Sequence, residues 1–116
     1  MQDYIRMPNE ARTGVLQGTL DLMILQTLAS LGPQHGYAIA ARLEQVSGGA
    51  IQLNMGTLYP GLTRLEAKGW IAAKWAQTES NRRARFYVLT RQGRRQLESE
   101  RADWLRMTSI MAKVLE

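Results

Sequence analysis

The 116-residue sequence has no cysteine and a single histidine, His35. Without cysteine the chain forms neither a disulfide nor a thiolate metal site, and one histidine cannot supply a multi-histidine site. We therefore expect no bound metal and no cofactor, and a chain compatible with a reducing compartment. His35 itself fits a turn or the cap of the following helix; pH sensing and a phosphate contact are the alternatives.

Long apolar runs and catalytic motifs are missing as well. No stretch approaches the roughly 18 apolar residues of a membrane-spanning helix, and residues 1–14 lack the apolar centre of a signal peptide. We expect a soluble cytoplasmic protein that does not enter membranes. There is no glycine-rich phosphate loop, no cysteine and histidine nucleophile pair, and no metal-binding carboxylate motif, so an enzyme is the least supported class.

The charge is unbalanced toward the basic side. The sequence has fifteen lysines and arginines and ten aspartates and glutamates, which gives a formal net charge of +5. Such an excess favours an anionic partner, either nucleic acid or a membrane surface. A hydrophobic fraction of 45% in a chain of this length predicts one domain, residues 1–116, with a modest core.

Two helices are predicted in the first half of the chain. Residues 15–31 are apolar almost all round, which is typical of a helix enclosed by others, and Gly32-Pro33 ends it. A second helix follows His35, with Ile39, Leu43 and Val46 on one side. After it, residues 51–53 fit a short extended segment.

A third helix has a leucine-rich side and a slim side. Met55, Leu58, Leu62 and Leu65 recur at helical spacing, whereas the opposite side carries Gly56, Thr57, Pro60, Thr63, Arg64 and Ala67. A helix that packs by its leucines would present a surface able to enter a DNA major groove. Asn54 can cap it and Lys68-Gly69 can end it. Pro60 leaves the start open between Met55 and Thr57.

A basic β-hairpin is predicted directly after this helix. Residues 70–77 and 85–89 have strand composition, and residues 78–81 have turn composition, with Asn81 suited to a left-handed position. Arg82, Arg83 and Arg85 crowd its tip and second strand. They are either solvated charges on an edge strand or contacts to a phosphate backbone or minor groove. A helix followed by a basic hairpin is typical of a DNA-reading helix followed by a wing.

Thr90 can cap a last helix that runs to the C-terminus. Its second half is largely apolar and too broad for a small domain to cover, so we expect it to pack against a second copy in a short helical cluster that involves the N-terminal residues. The alternative is that it folds back on its own domain. The candidate dimerisation residues are Leu97, Trp104, Leu105, Met107, Ile110, Met111, Val114 and Leu115.

Four segments together resemble the PadR family of bacterial transcriptional regulators. They are LQGTLDLMILQTL (residues 16–28), HGYAIAARLE (35–44), GTLYPGLTRLEAKGWI (56–71) and RRARFYVLTRQGRRQL (82–97). The resemblance implies a mainly α-helical fold with a small β-hairpin, which is a winged helix-turn-helix at about residues 13–90 followed by a dimerisation helix at about 91–116. It also implies a homodimer that binds a palindromic operator in double-stranded DNA, usually as a repressor relieved by a small molecule. The short last helix is similar to that of the compact subfamily.

Site residues follow from this resemblance by position. The candidate DNA-binding residues are Tyr37, Asn54, Gly56, Thr57, Tyr59, Pro60, Arg64, Lys68, Arg82, Arg83 and Arg85. We expect Arg64 to read bases and Arg83 to contact phosphates, while Tyr59 is either a phosphate contact or a hydrophobic flank. Trp104 is either a dimer anchor or, as in compact relatives, part of an apolar pore that binds a small hydrophobic effector. The competing function is a winged-helix protein-interaction module without specific DNA recognition.

Overall fold

The computed structural model describes the backbone of residues 5–6 and 13–116 and the side chains of residues 18–116. The elements follow in the order β1 (Ile5–Arg6), α1 (Thr13–Leu31), β2 (Gln34–His35), α2 (Gly36–Val46), β3 (Ile51–Gln52), α3 (Met55–Ala67), β4 (Ile71–Gln77), β5 (Arg83–Leu89) and α4 (Arg91–Val114). This order confirms the predicted mainly helical fold with a small hairpin. Among the residues just named, no helix has the length and apolarity that crossing a membrane requires.

Helix α1 is the centre of the core, as its apolar composition predicts. It contacts α2, α3, α4 and β5. Ile24, Leu25 and Leu28 are at most 2% exposed and pack with leucines of α3 and with Ile39 of α2. Each such buried side chain contributes about 1.5–3 kcal/mol, so this cluster supplies much of the favourable free energy of folding.

Side chains cap the starts of α2, α3 and α4. His35 Nδ1 accepts from the Ala38 N–H at 3.2 Å, and Asn54 Oδ1 accepts from the Thr57 N–H at 2.8 Å. Thr90 Oγ1 accepts from the Gly93 N–H at 3.0 Å. Each cap satisfies an amide that the helix leaves unpaired, so the predicted roles of all three side chains as caps are confirmed.

The hairpin belongs to a three-stranded sheet rather than standing alone. Its strand order is β2-β5-β4, and both pairings are antiparallel. The third strand, β2, has only two residues, so it is too short to produce a two-residue periodicity in the sequence. The extended segment predicted after α2 is present as β3, which pairs in parallel with β1.

One face of the hairpin runs without interruption from the core toward the tip. Pairing of Ala73 with Tyr87, Trp75 with Arg85 and Gln77 with Arg83 places these residues on a single face, because side chains alternate along a strand. Near the base this face is buried, with Tyr87 only 4% exposed, whereas Arg83 and Arg85 are exposed. The same face is therefore core at one end and surface at the other.

The junction between the sheet and α4 is tightly packed. Thr90 Oγ1 donates to the Gly69 carbonyl at 2.7 Å, and the Thr90 N–H donates to the Trp70 carbonyl at 3.1 Å. Gly69 has φ +79°, a conformation that glycine adopts at little cost. A Cβ placed on Gly93 would lie 1.9 Å from the Trp70 carbonyl oxygen, so α4 can approach this loop only because residue 93 has no side chain.

Replacing Gly93 with alanine should therefore destabilise the protein although alanine is the better helix former. Because the colliding atom is backbone, α4 must shift, and we expect a loss of about 1–3 kcal/mol in the free energy of unfolding. Gly18→Ala is the matched control, since its Cβ meets nothing within 4 Å. Chemical denaturation should show Gly18→Ala equal to or above wild type in stability; a Gly93→Ala variant as stable as the control would contradict this packing.

Candidate nucleic-acid interface

Helix α3 presents a slim outer face because its leucines are used by the core. Leu58, Leu62 and Leu65 are at most 1% exposed. The candidate residues of α3 and its cap that remain exposed are Asn54, Gly56, Tyr59, Pro60 and Lys68, and Thr63 and Ala67 are exposed between them. The outer face therefore carries small and polar side chains, with one aromatic ring at its edge.

The structure places the start of α3 at Met55 with Asn54 as the cap. Of the two starts that the sequence left open, this one puts Pro60 inside the helix. Proline has no N–H to donate to the Gly56 carbonyl, and both residues are exposed. Thr57 is half-buried, and among the described residues its hydroxyl has no hydrogen-bond partner. Of these residues, Gly56 and Pro60 are the better placed to meet a ligand.

Arg64 lies on the side of α3 that faces α1. Its guanidinium donates to the carboxylate of Asp21, whose side chain is 7% exposed, while the side chain of Arg64 is 24% exposed. The pair connects the centre of α1 with the second half of α3. The sequence analysis expected Arg64 to read bases. Its contact with Asp21 instead favours a structural role, in which Arg64 holds α3 against α1.

The hairpin and two helices enclose a groove of about 640 Å³, called here the wing groove. Tyr37 at the start of α2 and Tyr59 of α3 line it from the helices. Trp75, Arg83 and Arg85 line it from the hairpin. The structure thus brings together candidates from three separate segments of the sequence.

Each arginine of the wing groove has an internal contact. Arg83 lies over the ring of Trp75, with its guanidinium carbon 5.3 Å from the ring centroid. Arg85 Nη2 donates to Glu66 Oε2 of α3 at 2.7 Å. Trp75 is 56% exposed, so Arg83 and Trp75 form a flat, positively charged pair at the surface.

The floor of the groove is the phenol of Tyr87. Burial raises its pKa above the ordinary value of 10.0; the Arg85 cation acts in the opposite direction, and Tyr59 and Glu66 raise the pKa further. The phenol is therefore neutral at physiological pH. It adds no charge to the groove, whose electrostatics depend on the arginines and Glu66.

The tip of the hairpin is closed by its own turn. Asn81 adopts φ +63°, and its N–H donates to the Thr78 carbonyl at 2.9 Å. The left-handed position predicted for Asn81 is thereby confirmed. Arg82 follows with its N–H on Thr78 Oγ1 at 3.2 Å and its side chain exposed at the end of the wing.

Lys68 lies apart from the wing groove. It is the C-terminal cap of α3, and its ammonium is 4.7 Å from the centroid of the Trp70 ring. A helix of this length separates it from Asn54 by about 20 Å. Lys68 therefore does not share a surface with the candidates at the start of α3.

The second half of α4 is an exposed apolar surface. Seven large apolar residues there are between 46% and 77% exposed: Trp104, Leu105, Met107, Ile110, Met111, Val114 and Leu115. Trp104 and Leu105 also line a groove of about 470 Å³ with residues of α1 and α2. The N-terminal residues expected in this cluster, 1–4 and 7–12, lie outside the described residues.

Leu97 requires a correction. The sequence analysis assigned it to the dimerisation surface, but it is 4% exposed and belongs to the core cluster of its own domain. The reason is that the first half of α4 still packs on the domain, whereas all residues from Arg101 onward are exposed. The unpartnered surface therefore begins after Leu97.

The polar or aromatic residues Thr63, Glu66 and Trp75 also line the wing groove, and the sequence analysis did not include them among the DNA-binding candidates. Strand alternation counted from the apolar Ile71 would have placed Trp75 on the inner face of the hairpin. No sequence signal pairs Glu66 with Arg85, because they are 19 residues apart in different elements. In the part of the chain that the structure describes, no group of three metal-ligating side chains is found.

Comparison with known proteins gives a consistent result. Residues 24–99 match the model of the Transcriptional regulator PadR-like family. A 37.1 kDa protein in transposon TN4556 of Streptomyces fradiae is 42% identical over 87 residues, which is 75% of this chain. The chain spans only 23% of the length of that relative.

Solved structures agree in fold. A PadR family transcriptional regulator from Eggerthella lenta is 31% identical with a TM-score of 0.74, covering 89% of this chain and 87% of that one. A PadR family transcription regulator from Clostridium difficile R20291 is 28% identical with a TM-score of 0.73, and the match covers 84% of this chain and 98% of that one. A transcriptional regulator from Clostridium thermocellum has a TM-score of 0.79, and the match covers 89% of this chain and 99% of that one. At 24% identity this similarity shows only a common fold.

The two arginine–carboxylate pairs of α3 should differ in their effect on stability. Removing Arg64 leaves the carboxylate of Asp21 buried without this cation, so Arg64→Ala should lower the free energy of unfolding by about 2–4 kcal/mol. Arg85→Ala breaks an exposed pair and should cost about 1 kcal/mol or less. Urea denaturation of both variants measures the difference; equal losses would mean that Arg64 does not anchor α3.

Proposed function

Because the chain belongs to the PadR-like family of transcriptional regulators, we propose that it is a sequence-specific DNA-binding regulator that acts as a homodimeric repressor in the cytoplasm. The family and the structural neighbours are regulators, not enzymes. The observation that carries the proposal is the outer face of α3 beside a groove lined by Arg83 and Arg85. A slim helix flanked by arginines matches a major groove flanked by phosphates.

The exposed residues of α3 divide by chemistry. Asn54 and Thr63 can hydrogen-bond base edges, and Gly56 lets the backbone approach them closely. Gly56 and Pro60 leave one carbonyl of the outer face without its helical donor, which makes it an acceptor for a base amino group or a water molecule. Direct readout therefore depends on the N-terminal cap and the first three turns of α3.

Phosphate contacts come from residues around α3. Tyr37 is 69% exposed and Tyr59 is 41% exposed, so both hydroxyls can donate to backbone oxygens. Arg82 and Arg83 extend from the wing on the other side. These contacts fix the register of the helix in the groove and supply most of the affinity, which should fall steeply with salt.

Homodimerisation through α4 supports recognition of a palindrome. The apolar surface beyond Arg101 is exposed on the single chain, and apolar residues lie along one side of the helix. A second copy that packs its α4 against this surface covers it by two-fold symmetry. The two α3 helices then reach successive major grooves about one helical turn apart.

Effector relief is proposed at Trp104. Trp104 is 47% exposed and borders the groove formed with α1 and α2, where Met23 gives an adaptable lining. A small hydrophobic ligand bound there would change how α4 packs on α1. The angle between the two reading helices, and with it the fit to the operator, would change as a shift in populations.

The direct test of the proposed function is selection of bound fragments from random duplex DNA at near-physiological salt. We expect an enriched inverted repeat whose half-sites lie about one helical turn apart. An enriched sequence establishes specificity, and its symmetry establishes the dimer. A protein-interaction module would return no enriched sequence, and that result would overturn the proposal.

Dimerisation is tested separately by charge on α4. Met111 is 46% exposed in the middle of the apolar side, so Met111→Glu should convert the dimer to a monomer at micromolar concentration and weaken operator binding more than tenfold. Ser109→Glu is the matched control, because it adds the same charge on the polar side of the same helix. Light scattering after gel filtration gives the mass; a dimer that survives Met111→Glu would exclude this surface.

A further inference from the structure

We propose that Glu66 limits binding to random DNA by holding Arg85, and that this restraint lowers the sequence-independent part of the affinity for DNA. The inference rests on the proposed function and concerns a residue of the same groove. Glu66 lies on the outer side of α3, with its side chain 34% exposed, and Arg85 reaches it from β5 with its side chain 43% exposed. Both side chains line the wing groove.

The first step is the geometry of the pair. The separation of Arg85 Nη2 and Glu66 Oε2, 2.7 Å, is that of a charge-assisted hydrogen bond. It joins the wing to α3 across the groove at the level of Trp75, the strand partner of Arg85. Arg85 is therefore directed toward α3, whereas Arg82 lies at the end of the wing.

The second step is the sign of the charges. Among the residues that line the groove in the described structure, Glu66 is the one carboxylate, and it lies beside the surface that a phosphate backbone would approach. If Arg85 remains on Glu66, the pair is neutral and Arg85 releases no counterion on binding. If Arg85 turns to a phosphate, Glu66 is left unpaired near an anion, which opposes binding. In either case Arg85 adds less affinity than an unrestrained arginine.

The third step is that this restraint acts on every sequence. Non-specific binding to DNA depends almost entirely on phosphate contacts, so a silenced arginine weakens it directly. Specific binding also draws on base contacts of α3, which Glu66 leaves in place. Glu66 therefore lowers the sequence-independent part of the affinity and removes no base contact.

The experiment compares wild type with Glu66→Gln on random duplex DNA across a series of salt concentrations. Glutamine keeps the size and an acceptor oxygen but removes the charge. We expect the slope of log affinity against log salt to become steeper by about 1 for each subunit that contacts the duplex, because Arg85 now neutralises a phosphate. At 0.15 M salt this corresponds to roughly fivefold tighter binding per contacting subunit.

Two further variants separate this effect from a change in net charge or in folding. Glu98→Gln makes the same charge change on an exposed residue of α4 outside the groove and should leave the slope at the wild-type value. The double variant Glu66→Gln with Arg85→Ala should have the salt slope of wild type. The reason is that Arg85, once freed from Glu66, is the side chain that makes the extra phosphate contact. Because the pair is exposed, all four proteins should have similar melting temperatures.

The outcomes are distinct. A steeper slope for Glu66→Gln that Arg85→Ala reverses supports the proposal. An unchanged slope overturns it, since Arg85 would then reach a phosphate with Glu66 as its support. A loss of operator affinity at constant affinity for random DNA also overturns it, since Glu66 would then read a base. If wild type shows no salt-dependent DNA binding at all, the proposed function itself fails, independently of Glu66.

Discussion

The leucine face of α3 packs against α1, and this burial decides which other residues of α3 can meet a ligand outside the protein. Leu58, Leu62 and Leu65 are almost fully buried, so the small and polar residues opposite them face outward. The buried ion pair between Arg64 and Asp21 joins α3 to α1 next to these leucines. Hydrophobic burial sets how deep α3 lies, and the ion pair limits its rotation about its own axis.

The same helix uses two arginine–carboxylate pairs for different purposes. The pair with Asp21 is largely buried. Loss of one partner would leave an unpaired charge in the interior, so this pair stabilises the fold. The pair of Glu66 with Arg85 is partly exposed to water, where it adds little stability. Burial, rather than the kind of residue, decides how much each pair contributes to stability.

The sequence was sufficient for the elements and their order because periodicity, caps and turn residues are local signals. The central helix, the caps at Asn54 and Thr90, and the turn at Asn81 were all predicted correctly. Contacts between distant segments were not predictable. Arg64 has the spacing of an outer-face residue, and only the position of Asp21, 43 residues earlier in the chain, shows where its guanidinium lies.

The C-terminal helix shows a similar limit. Its apolar second half was evident from the sequence, and its exposure on the single chain agrees with the expectation of a partner. Leu97 was placed with that surface because it is apolar and in the same helix. Whether a helix position faces its own domain or an outside partner depends on where the helix leaves the domain, and that point is set by packing at Thr90 and Gly93.

The continuous inner face of the hairpin has an evolutionary consequence. Residues near the tip, such as Arg83, can change without creating a void, whereas Tyr87 at the base is enclosed by the core. Paralogues should therefore differ most at the distal end of β5 and least at Tyr87. Divergence along a single strand would thus be graded, rapid at one terminus and arrested at the other.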